Sequence, residues 1–296
     1  RQLRKKQGIG EKLMGQAAHY GIRLVGLDLD GTLLAADHSI SARNRAAITA
    51  ALEQGCRVVP ATGRPLTGVP AEFLELPGVD WAVTANGATV VRLADRQAVL
   101  KFWIPQADFF TAWELTRRYD RVMDLFLDGQ GYNSAGALAG AERWAPPGMA
   151  GYMRTSRRPV ESVEGFARQC PQVEKTNLFF AREAERAQAR RELEATGLFE
   201  VTSSAPGNLE LNARDVDKGR GLLALAGLLG IGPEQVMACG DSDNDTAMLR
   251  AVGLGVAMGN ALPQVKAAAA WVTGTNEESG VAQALERFVL EGHHTF

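Results

Sequence analysis

Cysteine is scarce in this chain of 296 residues, which holds only Cys56, Cys170 and Cys239. Odd in number, widely spaced and set in or near apolar segments, these three indicate neither a disulfide framework nor a zinc knuckle. Histidine is hardly more frequent, at four residues. His19 and His38 stand alone, and His293 and His294 fall in a terminal segment, so no histidine metal site is expected. No apolar run reaches the length of a membrane span, and no charged start followed by an apolar run and a small-residue cleavage site marks secretion; a cytoplasmic location is the expectation. Neither sign of charge dominates: 32 Lys and Arg against 34 Asp and Glu leave a net charge of -2. With no basic stripe either, a general nucleic-acid binder is not expected. Internal repeats and low-complexity tracts are also lacking.

What is present is a core-forming composition, 46% hydrophobic, enough for one large domain or two. Residues 1–20 differ from the rest. Arg1, Arg4, Lys5, Lys6 and Lys12 crowd a stretch of little apolar periodicity, read as a basic tail, disordered or not native, with Met14 a possible natural start. Beyond it, strand-like and helix-like runs alternate: strands at 24–27, 57–61 and 81–84, a helix at 41–54 with Ser41 as N-cap and Gly55 as stop. The pattern resumes after residue 213 with a helix ending near Gly230, a buried-type strand at 235–239, a helix at 243–251, a strand at 255–258, and helices at 263–270 and 281–290. Such alternation implies an α/β fold with a doubly wound, Rossmann-like parallel-sheet core and right-handed crossovers. Between the halves lie a hairpin-like pair, a helix at 107–119, a strand at 122–127, a loop-rich tract holding Trp144, Pro146, Pro147 and Gly148, and further strands around a charged helix at 183–195. This stretch reads as an inserted α+β cap at 89–213, leaving 21–88 and 214–296 as the core domain.

Three polar clusters stand at predicted strand ends, where a doubly wound sheet gathers its functional loops into one crevice. Asp28 and Asp30 follow the first strand, Thr62 and Gly63 the second, and Asp241, Asn244 and Asp245 follow Cys239. Each has an ordinary explanation alone: a turn for Asp30-Gly31 or Thr62-Gly63, a helix N-terminus for Asp243 and Asp245. Their joint occurrence is the stronger signal. Lys218, at the predicted start of a helix, opposes the helix dipole at a cost of roughly 0.3 to 1 kcal/mol unless an anion lies near; a solvated lysine is the alternative. The loop after the first strand carries Asp-Leu-Asp-Gly and lacks Gly-x-Gly-x-x-Gly, which disfavours a dinucleotide-binding dehydrogenase.

With these residues in view, the chain resembles the haloacid dehalogenase superfamily, and within it the Cof-type, sugar-phosphatase-like hydrolases with an α/β cap. The matching segments are Asp28-Leu29-Asp30-Gly31-Thr32-Leu33, Ala61-Thr62-Gly63-Arg64-Pro65, Asn86-Gly87-Ala88, Asp217-Lys218-Gly219, Gly240-Asp241-Ser242-Asp243-Asn244-Asp245 and Asn276-Glu277-Glu278-Ser279-Gly280-Val281. The resemblance implies a phosphomonoester hydrolase of small phosphorylated metabolites, sugar phosphates or nucleotide-derived phosphates. It implies Asp28 as nucleophile forming an aspartyl-phosphate and Asp30 as acid and base. Thr62, Gly63, Lys218 and Asn244 would hold the phosphoryl group. Mg²⁺ would be bound by Asp28, the Asp30 carbonyl and Asp241, with Asp245 in support. Chemistry agrees: carboxylates about 4 Å apart repel by roughly 4 kcal/mol per pair at an effective dielectric near 20, and an oxygen-only set suits a hard divalent ion. The cap is expected to select the ester, with Arg64, Asn86, Tyr132, Asn133, Arg154, Arg157 and Arg158 as candidate contacts, although a solvated basic loop explains the last three arginines equally well. A phosphomutase of the same superfamily and a non-catalytic phospho-ligand binder are the alternatives; oligomeric state is unreadable.

Overall fold

The computed structural model describes residues 21–145 and 150–291. The basic tail, Met14, His19, Pro146, Pro147 and Gly148 of the loop-rich tract, and His293 and His294 lie outside the described residues. The strands, in chain order, are β1 (Leu24–Leu27), β2 (Arg57–Pro60), β3 (Trp81–Thr84), β4 (Thr89–Arg92), β5 (Gln97–Lys101), β6 (Ile104–Pro105), β7 (Arg121–Leu127), β8 (Gln130–Ser134), β9 (Arg157–Val160), β10 (Gln172–Val173), β11 (Lys175–Phe180), β12 (Phe199–Thr202), β13 (Asn208–Ala213), β14 (Val236–Gly240), β15 (Leu254–Ala257) and β16 (Trp271–Val272).

Five of them form a parallel sheet in the order β16-β15-β14-β1-β2. Its centre, β1 and β14, is buried along its whole length, as strands covered by helices on both faces must be. The register pairs Leu24 with Val236 and Leu27 with Cys239, which brings Asp28 beside the residues after β14. The helix Ala42–Glu53 begins where Ser41 accepts a hydrogen bond from the Asn44 amide, as its sequence foretells. The helix Lys218–Leu228 starts where the Asp217 carboxylate accepts from the Arg220 amide, and buries Leu222, Leu225 and Ala226 against the sheet. β3 extends the sheet only through a bridge between Ala61 and Val83; along its length it pairs antiparallel with β4, which pairs with β5. The β4–β5 hairpin therefore hangs from β3, with Val90 inside the main apolar core and Leu93 and Leu100 against it.

The second large sheet has the order β12-β13-β11-β7-β8-β9, antiparallel except between β8 and β9. One face carries Met123, Leu125, Leu178, Leu209 and Leu211 into an apolar cluster with the helices Gln106–Thr116 and Glu183–Ala195. The opposite face looks toward the parallel sheet. The tract expected to be loop-rich contains β8, β9 and the helices Ala135–Ala139, Ala150–Ser156 and Val163–Ala167. These elements are only four to seven residues long, so no apolar period develops in them to be read.

Candidate active site

The site grows from the ends of β1, β2 and β14. Asp28 still donates its backbone N–H to the Cys239 carbonyl, so its side chain emerges beside the loop that carries Asp241 and Asp245. Gly31 must be glycine: its φ is +78°, and a Cβ there would lie 2.5 Å from Asp241 Oδ2. Asp28, Asp241 and Asp245 each present a carboxylate oxygen, all within 4.8 Å of one another. Lys218 Nζ donates to Asp28 Oδ1 at 2.6 Å and to Asp245 Oδ1 at 2.7 Å, deep in the protein. Asp245 Oδ2 accepts the backbone N–H groups of Asp241 and Ser242, and Asp241 accepts the hydroxyls of Thr32 and Ser242. The helix-start lysine thus meets two anions.

Lys218 is set by the loop opposite. Gly87, at φ +87°, packs so closely that a Cβ would sit 1.9 Å from the Asp217 carbonyl oxygen, at the first turn of the lysine's helix. Burial lowers the ammonium's proton affinity, but the charges of Asp245 and Asp28 outweigh it and raise the pKa of Lys218. Asp28 is raised well above the usual carboxylate range by burial and then by Asp245, with Lys218 pulling the other way. Burial, followed by Asp245, pushes Asp241 up to about 6. Three carboxylates against one ammonium, offering only oxygen ligands, fit a hard divalent cation; such an ion would relieve the repulsion that raises both aspartates.

Thr62 is buried at the end of β2, with its N–H on the Val83 carbonyl and its Oγ1 accepting from the Arg64 amide. A Cβ on Gly63 would lie 2.8 Å from Asn86 Oδ1, which places that backbone against Asn86 and Asn244. Asn244 donates Nδ2 to Asn86 Oδ1 at 3.1 Å, and its own Oδ1 is buried with no partner among the described residues. Asp30 stands apart from the cluster. Its exposed carboxylate is gripped by Arg64, Nε at 2.8 Å and Nη2 at 2.5 Å, with His38 at 3.9 Å.

Above these groups lies a cavity of about 130 Å³ between the two sheets, lined by Asp28, Asp30, Thr62, Gly63, Arg64 and Asn244 from below. From above come Arg157, Lys175, Asn177, Asn208 and Glu210. Arg157, read from sequence as a possible ester contact, lines it and is bound to Asp124 at 2.9 Å. Arg154 does not line it; that side chain is exposed and paired with Glu142 at 2.5 Å. Arg158 is also exposed, Tyr132 packs on Phe166, and Asn133 is buried against Asp124. These three are likewise absent from the cavity wall.

Sequence reasoning missed the buried network of Lys175, Asn208, Glu210 and Asn212, which the exposed Ser204 joins at its edge and which the buried Asn177 flanks. Lys175 Nζ meets Glu210 Oε2 at 2.9 Å, Ser204 donates to Glu210 Oε1 at 2.6 Å, and Asn86 donates Nδ2 to Glu210 and to Asn212. The signal existed: Asn208, Glu210 and Asn212 alternate with leucines on β13, and Lys175 and Asn177 stand two apart on β11. In a strand that spacing puts all five on one face.

A parallel α/β core with four acidic or basic groups converging at its strand ends, roofed by a second sheet, defines a hydrolase of phosphoryl-transfer type. The model of the haloacid dehalogenase-like hydrolases matches residues 25–285. Phosphatase YwpJ of Bacillus subtilis (strain 168) is 31% identical over 288 residues, 90% of this chain and 100% of the relative. The same organism's 5-amino-6-(5-phospho-D-ribitylamino)uracil phosphatase YcsE is 33% identical over 279 residues, 91% of this chain and 96% of the relative. A solved phosphatase of the superfamily, BT1666 from Bacteroides thetaiotaomicron, superposes with a TM-score of 0.78 at 28% identity, covering 92% of this chain and 97% of its own. The chain belongs to the haloacid dehalogenase-like hydrolases and, within them, to the phosphatases. No helix among the described residues is long and apolar enough to cross a membrane.

Proposed function

We propose that this protein is a Mg²⁺-dependent phosphomonoesterase of small phosphorylated metabolites that works through a phosphoryl group carried on Asp28. The observation that carries this reading is the meeting of Asp28 with Asp241 and Asp245, residues from opposite halves of the chain, around Lys218. Lys218 pins one oxygen of Asp28, which leaves the other to attack phosphorus as the bond to the leaving alcohol breaks. Asp30, turning from Arg64, gives that alcohol its proton. It then takes a proton from the water that cleaves the aspartyl-phosphate, so alcohol and phosphate leave with Asp28 ionised and Asp30 protonated, as at the start. Thr62, the Gly63 amide, Lys218 and the Asn244 amide group hold the phosphoryl oxygens as charge shifts among them. Asp28, Asp241 and the Asp30 carbonyl, with Asp245 in support, would hold Mg²⁺, which would supply charge neutralisation for the phosphoryl oxygens. The sheet β12-β13-β11-β7-β8-β9 roofs the cleft and excludes water, and the parallel sheet with its helices supplies the chemistry.

The test is phosphate release from p-nitrophenyl phosphate with added Mg²⁺. Asp28→Asn is expected to abolish turnover and Thr62→Ala only to reduce it, and chelation is expected to silence the wild type. Near-native turnover by Asp28→Asn would rule out the nucleophile.

A further inference from the structure

We infer that Asn86 is a positioning residue for phosphate: anchored by the second sheet, it fixes which end of the Asn244 amide is offered to the phosphoryl group. This rests on reading the cleft as a phosphomonoesterase and goes further by naming what sets one of its phosphate donors.

Asn86 stands behind the cavity rather than in it. Read from sequence as a candidate ester contact, it is 2% exposed and absent from the cavity wall, whereas Asn244 lines that wall. Its backbone belongs to the catalytic side. The Asn86 N–H donates to the Thr62 carbonyl at 3.0 Å, and its φ of +56° is a left-handed conformation that asparagine tolerates better than most residues. Its side chain reaches across to Glu210 and Asn212 on β13.

The hydrogen bonds from there run in one consistent direction. Glu210 is the fixed end: its Oε2 accepts from Lys175, and its Oε1 accepts from Ser204 and Asn208. Burial raises its proton affinity, but Lys175, Ser204 and Asn86 outweigh that and keep its pKa below the ordinary value. An ionised carboxylate only accepts, so the end of Asn86 that meets it is the NH2 group. The second N–H of that group goes to Asn212 Oδ1 at 3.3 Å, and Asn212 is itself held because its Nδ2 donates to the Ala85 carbonyl at 2.7 Å. Asn86 Oδ1 therefore faces Asn244, and the end of Asn244 that meets it at 3.1 Å is again the NH2 group. Turning Asn244 over would set two amide oxygens against each other. Turning Asn86 with it would set an oxygen against Glu210 and Asn212.

This chain of bonds ends at the phosphate site. Asn244 Nδ2 spends one hydrogen on Asn86, and no other hydrogen bond holds this amide among the described residues. The same nitrogen lies 3.5 Å from the point where a Cβ on Gly63 would stand, so its remaining N–H is available beside the Gly63 amide. Without Asn86 the amide loses the one bond that distinguishes its two ends, and its oxygen can turn to an anion that it repels.

The experiment measures the Kd of inorganic phosphate by calorimetry, with Mg²⁺, for the wild type, Asn86→Ala, Asn244→Ala and the double variant. Each single substitution is expected to weaken phosphate by roughly tenfold, and the double variant to bind no more weakly than Asn244→Ala alone. Inorganic phosphate has no alcohol portion, so a role for Asn86 in selecting the ester would leave the Kd unchanged. A purely structural role would weaken binding by the same factor in both backgrounds. Either result overturns the inference. If Asn86→Ala does not fold, the charge-neutral pair Lys175→Met with Glu210→Leu takes its place, withdrawing the Glu210 acceptor without stranding either partner of that ion pair. A loss of roughly threefold or more that vanishes beside Asn244→Ala supports the inference, and no loss, or an equal loss in both backgrounds, overturns it. Hydrolysis of p-nitrophenyl phosphate is read separately. Coupled phosphate binding without hydrolysis upholds the role of Asn86 and sinks the phosphatase reading, hydrolysis without coupling sinks the role of Asn86 alone, and no phosphate binding by the wild type sinks both.

Discussion

Lys218 shows how one residue can hold a catalytic centre together before any ligand arrives. Its ammonium lies between Asp28 and Asp245, both buried, in a cluster that already carries a third carboxylate. Removing one partner of such a group leaves uncompensated charge in the interior, at a cost of roughly 3–5 kcal/mol. Lys218→Met is therefore expected to lower the urea midpoint of the metal-free protein sharply. Saturating Mg²⁺ is expected to restore much of the loss, because a divalent ion serves the same carboxylates. Asp28→Asn removes one of the repelling acids, so its stability should respond far less to the ion. Equal Mg²⁺ responses in the wild type and both variants would separate the lysine from the metal site. At the same scale, Arg64 grips Asp30 away from the cluster. With Arg64→Ala, kcat for p-nitrophenyl phosphate is expected to hold or rise while the fold persists, since the proposed acid no longer has to leave an ion pair to reach the leaving group.

At the scale of elements, Gly87 and the helix Lys218–Leu228 form one unit. A methyl group at Gly87 would collide with the backbone of Asp217, and its φ of +87° disfavours any other residue. Gly87→Ala should therefore displace the helix start, destabilise the protein by roughly 1–3 kcal/mol and depress turnover together, whereas Gly227→Ala, in open space on the same helix, should be close to neutral. Similar Tm and kcat in the two variants would remove the seat from the explanation. Much of the core was legible because β1, β2 and β14 are continuous apolar runs closed by Asp, Thr or Gly, and their loops converge wherever strands run parallel. The upper wall of the cavity was not. Arg154, Arg157 and Arg158 look alike in sequence, yet only Arg157 turns inward: Arg154 lies on the helix Ala150–Ser156, and β9 alternates its faces, setting Arg157 beside Gly131 of β8 and Arg158 outward. Lys175 and Glu210 look like ordinary strand charges until β11 and β13 are paired and one face of the sheet proves to be polar and buried. Strand pairing is non-local, and no local pattern states it.

At the scale of the whole molecule, the two sheets meet through a chain of contacts running away from the catalytic cluster. The Thr67 N–H and hydroxyl both donate to the Gly129 carbonyl, at 3.1 and 2.9 Å, and the Gly129 N–H donates to Glu174 Oε1 at 2.7 Å. The other oxygen, Glu174 Oε2, is buried and has no partner among the described residues. Burial pushes this carboxyl from its ordinary 4.5 up to about 7; the Gly129 N–H offsets part of the rise, Asp128 adds to it, and Lys101 and Lys175 lower it. Between those two values the folded protein keeps a proton that the unfolded chain has released, so stability falls as pH rises, by about 3 kcal/mol across the window. Glu174→Gln keeps an acceptor for Gly129 and cannot ionise. Relative to the wild type it should be near neutral or slightly worse at pH 4.5, and better by about 3 kcal/mol above pH 7, read from urea midpoints at matched ionic strength. Asp28 and Asp241, also raised by burial, tilt both proteins alike and cancel in the difference. Parallel pH profiles for the two proteins would mean that Glu174 is ionised at no such cost, and that the junction between the sheets is wetter than its geometry implies.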